Sequence, residues 1–320
     1  MIYELENEKL LVKVCSMGAT LNSFIDKKSG TDIVLGFESE EEYKINNGLY
    51  LGAVVARCAN RIDKGTYKIN GVEYHAPINN GPNSLHGGEG ISYKEFTLKE
   101  KTANKIVLER LLKDGEDGYP GNLKLTVTYE LEDNELVLTF KGLSDKDTIM
   151  NVTNHSYFNM NGGKGDVRDE CLEVYAERVA LNDENGLASD KTINVKGTSF
   201  DFEKETLIGD NFKKKHPNLS RGGIDHNFLF ENMKEKDLCT LKGDKLSVTI
   251  SSDLPGVQIY TANYFNNEVG KYGIIYSQYK GVAIEPQFYP NAINYETYLK
   301  PLIKANEEVT HFIKYSLKEN

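Results

Sequence analysis

Two short stretches carry groups that can move protons near neutral pH: Asn154-His155-Ser156-Tyr157-Phe158-Asn159 and Ile284-Glu285-Pro286-Gln287-Phe288. An imidazole can act as acid or base in that range, and a carboxylate can serve as its counterpart. A third stretch, Asn83-Ser84-Leu85-His86-Gly87-Gly88, adds another imidazole on a glycine-flanked loop. The chain has only 6 histidines in 320 residues, so a histidine set among amide and hydroxyl neighbours stands out. One acid, one base and several neutral hydrogen-bond formers suit proton transfer on a polyhydroxylated substrate.

Each residue also has a structural reading. Glu285 follows the apolar run Gly281-Val282-Ala283-Ile284 and precedes Pro286, which holds it extended. Burial at a strand end would raise its proton affinity, as a base working near neutrality needs; otherwise it is a strand-end carboxylate facing water. If the pleat runs on from Asn151, then Thr153, His155 and Tyr157 share one face and Asn154 and Phe158 the other. A lone histidine is often a core residue, but such polar company fits a wet cleft. His86 is either a binding group on a loop or a surface histidine. Gly87 and Gly88 beside it imply a close backbone approach. Asp225 in Gly223-Ile224-Asp225-His226-Asn227-Phe228 stands where a turn leads into a strand. Asn60-Arg61 offers a fork of donors for sugar hydroxyls, although Arg57 and Arg61 could equally form a structural ion-pair cluster. No histidine pair has metal-ligand spacing and no glycine-rich phosphate loop precedes a helix, so neither metal nor nucleotide cofactor is expected.

The elements that must position these groups read as strands almost throughout. Alternating runs recur at Leu10–Val14, Lys105–Glu109, Leu123–Tyr129, Leu136–Phe140, Leu246–Ile250 and Gln258–Ala262. Asn70-Gly71 predicts a hairpin within Thr66–Tyr74, and Asp133-Asn134 another between the Leu123 and Leu136 runs. Helix signals are confined to a capped turn at Ser39–Tyr43 and a possible start at Thr206–Gly209. Many short strands with Asn and Gly turns imply an all-β sandwich or barrel. With no linker-like composition, residues 1–320 are expected to form a single domain.

A formal charge of −10 and a pI near 5.3 disfavour nucleic acid and anionic membranes as partners. Met1–Glu8 has neither a basic segment nor an apolar one, and no run approaches membrane-span length. The four cysteines, Cys15, Cys58, Cys171 and Cys239, are scattered and read as reduced. A soluble cytoplasmic protein, monomer or homodimer, is the expectation.

Taken in order, the motifs resemble those of the aldose 1-epimerase (galactose mutarotase) family from Gly52 to about Tyr315. They are Ala56-Arg57-Cys58-Ala59-Asn60-Arg61-Ile62, Asn83–Gly88, Asp114-Gly115-Glu116-Asp117-Gly118-Tyr119-Pro120-Gly121, Asn154–Asn159, Gly223–Phe228 and Ile284–Gln287. The resemblance implies a large antiparallel β-sandwich, the galactose mutarotase-like supersandwich, with a sugar cleft across one sheet. It implies interconversion of α and β anomers of free aldohexoses without a cofactor, His155 as general acid and Glu285 as general base. Asn60, Arg61, His86, Tyr157, Asp225 and Gln258 would bind the sugar. Ala56 stands where the family usually has Gly, Asn291 where Asp is common, and Tyr298–Glu307 lacks the usual Pro-Gly-Glu turn. The rival readings are a non-catalytic carbohydrate-binding protein, a glycosidase, which normally needs two carboxylates, and a sugar-phosphate epimerase, which needs extra cations.

Overall fold

The computed structural model describes residues 1–46 and 48–320. Three antiparallel sheets dominate it. The largest has nine strands, ordered Thr97–Lys101, Lys105–Leu112, Leu123–Glu132, Glu135–Ser144, Glu308–Glu319, Leu246–Ser252, Lys236–Lys242, Cys171–Val174 and Thr206–Leu207. A six-stranded sheet runs Tyr157–Phe158, Val282–Gln287, Gly256–Tyr260, Asp225–Leu229, Arg178–Asn182 and Ala188–Asn194. The third, of four strands, is built from Ile2–Glu6, Leu10–Cys15, Thr20–Asp26 and Thr31–Asp32.

The alternating sequence pattern turns directly into layers. In Leu123–Glu132, Leu123, Leu125, Val127, Tyr129 and Leu131 are buried while the residues between them are more exposed. One apolar cluster draws Val127 and Phe140 from the nine-stranded sheet, Ile259 and Ile284 from the six-stranded sheet, and Val12 and Phe24 from the four-stranded sheet. Phe158 meets Tyr315 across the layers, with ring centroids 5.2 Å apart. Packing one face of each sheet against its neighbours is the layered solution to burying the apolar side chains.

The expected turns are present. Asn70 and Gly71 both adopt left-handed backbone (φ 50° and 81°) between strands Thr66–Ile69 and Val72–His75, as a two-residue hairpin requires. Asp133 (φ 53°) does the same between Leu123–Glu132 and Glu135–Ser144. The helix Glu40–Ile45 begins with a full capping box, Ser39 Oγ accepting from Glu42 N while Glu42 accepts from Ser39 N. A second short helix spans Ile208–Phe212.

One conditional expectation changes. The run from Asn151 to Phe158 is not one strand: Thr153–Asn154 pairs with Val54–Val55, and Tyr157–Phe158 pairs with Val282–Ala283. The chain switches partners at His155-Ser156. His155 therefore sits at the junction of two pairings, held by its N–H to Ala53 O (2.9 Å) and its carbonyl to Gly52 N (3.0 Å).

Candidate functional site

The six-stranded sheet supplies the cleft floor through its register. Glu285 lies opposite Gln258, and Gln258 opposite Asn227; Ala283 lies opposite Tyr260, and Tyr260 opposite Asp225. Cross-strand partners share a face, so Asp225, Gln258 and Glu285 point the same way. The alternate residues Phe228, Ile259 and Ile284 enter the core. His226, next to Asp225, also points away, with Nε2 2.9 Å from Asn218 Oδ1 and its ring against Phe200. Asp225 accepts a 2.8 Å hydrogen bond from Gln258 Nε2, which fixes both side chains.

The cleft wall comes from two short paired strands, Arg61–Ile62 and Ser84–Leu85. His86 N donates to Asn60 O (3.0 Å), and Asn60 N donates to His86 Nδ1 (3.3 Å). That second bond places the proton of neutral His86 on Nε2. Asn60 and His86 both have left-handed backbone (φ 63° and 53°), a local cost tolerated where surrounding contacts hold it in place. Gly87 permits the tight approach expected of this loop, since a Cβ there would lie 2.4 Å from Ala56 O. Arg61 Nε donates to Asn80 Oδ1 at 2.9 Å.

These parts meet in a cleft of about 740 Å³ whose lining includes Asn60, Arg61, His86, His155, Tyr157, Asp225, Gln258 and Glu285. All eight residues proposed from the sequence are thus brought together. His155 Nε2 stands 3.5 Å from Glu285 Oε1, with the two side chains 5% and 2% exposed. The His86 and His155 rings meet edge to face at 5.3 Å. The Tyr50 ring packs 4.6 Å from that of His86 and 5.7 Å from that of His155.

Burial dominates the electrostatics. It pushes the Glu285 carboxyl well above the usual range; Asp225 adds to the rise and Arg61 opposes it. Burial pulls His155 down to about 4. His86 is also held well below the ordinary imidazole value by burial, with His155 and Arg61 contributing. Asp225 is raised by burial, against the pull of Arg61 and the Gln258 hydrogen bond. Burial thus shifts the two partners in opposite directions, favouring the neutral forms of both Glu285 and His155.

Other sequence features resolve as structure. Arg57 is buried and donates to the carbonyls of Pro120, Leu112 and Lys113, so it forms no ion-pair cluster with Arg61. That contact also accounts for the Asp114–Gly121 motif, which packs beside Arg57 away from the cleft. Ala56, Asn291 and Tyr298–Glu307, the departures from the family pattern, do not line the cleft either. Thr153 shares no cleft surface with His155. Sequence reasoning missed Tyr50, Asn80, Tyr260, Tyr264, Phe265, Arg221 and the loop 182–186. Only the loop glycine carried a signal: Gly186 has φ 75°, and a Cβ there would press within 3.1 Å of the Arg61 guanidinium. All four cysteines are unpaired, and among the described residues no three His, Cys, Asp or Glu gather as a metal site.

A buried imidazole–carboxylate pair in a polar cleft on an antiparallel sandwich has the parts of an acid–base enzyme site. The family model for aldose 1-epimerase matches residues 1–316. Galactose mutarotase from Sus scrofa is 37% identical over 97% of this chain and 91% of its own length. Aldose 1-epimerase from Escherichia coli is 30% identical, covering 97% and 92%. Among solved structures, an aldose epimerase homologue from C. elegans superposes with a TM-score of 0.92 at 25% identity, covering 100% of this chain and 99% of that one. Galactose 1-epimerase from Lactobacillus acidophilus gives 0.87 at 30% identity, covering 99% and 94%. The chain belongs to the aldose 1-epimerase family.

Proposed function

We propose that this protein interconverts the α and β anomers of free aldohexoses such as glucose and galactose, with Glu285 as general base and His155 as general acid. The observation that carries the roles is the buried His155–Glu285 pair, 3.5 Å apart at the centre of the cleft. Glu285, ionised, takes the proton of the C1 hydroxyl. The C1–O5 bond breaks, its electron pair going to O5, which takes a proton from His155. The product is the open aldehyde, with Glu285 protonated and His155 neutral. Burial shifts both groups towards that same protonation pattern. Rotation about C1–C2 presents the other carbonyl face, and the proton transfers reverse to close the ring. Each is worth roughly 10²–10⁴-fold. Asn60, Arg61, His86, Tyr157, Asp225 and Gln258 hold the hydroxyls, which makes the reaction effectively unimolecular.

The charge of the lining supports a neutral sugar over a sugar phosphate. The lining holds Arg61 and Arg221 together with Asp183, Glu184, Asp225 and Glu285, so it lacks the excess of cations that a phosphate site needs. We also read residues 1–320 as one domain, on the strength of the single apolar cluster that joins the three sheets. A reducing, cytoplasmic setting fits the four unpaired cysteines. The charge of −10 fits the absence of a nucleic-acid or anionic-membrane partner. Among the described residues no helix is long and apolar enough to cross a membrane. Monomer or homodimer remains the expected assembly, to be read by sedimentation.

The test is to follow freshly dissolved α-glucose and α-galactose by polarimetry or NMR in ¹⁸O-labelled water. Ring opening keeps the C1 oxygen on the sugar, so anomers should equilibrate without enzyme-dependent label at C1. One label per inversion would instead signal a glycosidase-like displacement. Sugar binding with no inversion would leave a non-catalytic binding protein.

A further inference from the structure

Beside the cleft floor, on the same face, the six-stranded sheet buries carboxamide atoms that find no partner within the protein. Asn227 continues the cross-strand row from Glu285 through Gln258. Gln287 lies two residues beyond Glu285 on the same face, opposite Gly256. Asn227 is 1% exposed and Gln287 0%, and neither lines the cleft. The side-chain oxygen and nitrogen of both are buried without a hydrogen bond to another protein atom, as are Glu285 Oε2 and Gln258 Oε1 beside them. Gly256 lets the Asn227 amide lie close over the strand, because a Cβ there would stand 2.7 Å from Asn227 Oδ1 and 3.2 Å from the backbone carbonyl of Gln287.

Buried amides are ordinarily bonded, and a polar internal space of this kind is where proteins hold structural water. We propose that Asn227 and Gln287 are positioning residues that hold internal water beside Gly256, and that this water donates a hydrogen bond to Glu285 Oε2, leaving Oε1 aimed at the substrate. An amide offers both a donor and an acceptor, so it can orient a water that donates onward. Donation to Oε2 stabilises the carboxylate, the form that accepts the C1 proton. His155, His86, Arg61, Asp225, Tyr157 and, from the nine-stranded sheet, Tyr315 also surround Glu285 or act on its charge, yet none bonds Oε2. The inference rests on the general-base role of Glu285 proposed above.

Gln287→Met and Asn227→Leu keep the volume and remove the amide. Each variant should lower kcat by about 10-fold or more while KM changes little, as expected when a catalytic group loses its aim. The alkaline limb of the pH–rate profile should move up by about one pH unit, the equivalent of one hydrogen bond lost from the ionised form. The ¹³C-NMR titration of the Glu285 carboxyl, assigned with Glu285→Gln, should shift the same way and needs no turnover. A purely structural role would change stability and leave both titrations at their wild-type values, which overturns the proposal. Should a variant fail to fold, a wild-type crystal structure at about 1.2 Å decides. Water density bonded to Oε2 and to Asn227 or Gln287 supports it, and a dry site ends it. A wild-type protein without mutarotation, whose Glu285 titration still shifts in Gln287→Met, would sink the epimerase reading and leave the water site standing.

Discussion

The pH at which Glu285 or His155 changes charge depends on where the fold has put them. With the roles proposed for them, activity requires the pair to hold one proton. A second proton enters as pH falls towards the depressed His155 value of about 4, and the only proton leaves at the raised value of Glu285. The kcat/KM profile should therefore have its acid limb near that value of about 4 rather than at the usual imidazole value of about 6.5, and its alkaline limb above the ordinary carboxylate range. An acid limb at the ordinary imidazole value would place another histidine in control. Glu285→Gln should reduce turnover by at least about 10²-fold while sugar still binds, because Gln keeps the shape but cannot accept the proton. His155→Asn should do the same through the acid. His86→Asn should act partly through KM, since Asn60 N bonds its Nδ1 and Nε2 is free to hold substrate. If His86→Asn lowers kcat more than His155→Asn does, the acid is His86.

At the scale of elements, each strand or short helix fixes a group whose neighbours decide its charge. Glu170, just before the strand Cys171–Val174, accepts from Met160 N at 2.8 Å through Oε1, while its other oxygen is buried without a protein partner. Burial raises its carboxyl to about 8. The folded state thus binds a proton that the unfolded chain releases near pH 4.3, roughly the ordinary glutamate value. Stability from this group is present in full below that pH and is lost as pH rises towards 8, by at most about 1.4 kcal/mol per unit. Glu170→Gln should come nearest to wild type in urea unfolding at about pH 4 and exceed it at about pH 8. An equal difference at both pH values would mean that Glu170 is already ionised when folded. Hairpins such as Asn70-Gly71 were legible because their chemistry is local. The break at His155-Ser156 was not, because it follows from a change of partner strand from Val54–Val55 to Val282–Ala283.

Across the whole molecule, the apolar cluster ties all three sheets together, with Phe158 against Tyr315 and Val12, Val127 and Ile284 in the same body. A chain built in this way should unfold in one cooperative step. Far-UV circular dichroism, tyrosine fluorescence and calorimetry should give coincident transitions. Separate midpoints would divide the chain into more than one folding unit.

The sequence by itself determined the strand-rich class, the hairpin turns and the capped helix, because alternation and turn chemistry are written residue by residue; its ordered motifs, through the family resemblance, pointed to the eight proposed site residues. Only the tertiary structure decided what these residues do to one another. Residues 60, 86, 155, 225, 258 and 285 are far apart in the chain and meet through strand register and loop packing. Arg57 and Arg61, four apart in sequence, are sent to a carbonyl cage and to the cleft respectively. Tyr50 carried no signal and Gln287 entered only as the end of a motif, since what an aromatic ring or an amide does depends on what lies beside it. Charge states belong to the same level. Glu285 is raised and His155 lowered by desolvation, which no stretch of sequence possesses until the sheets have closed over it.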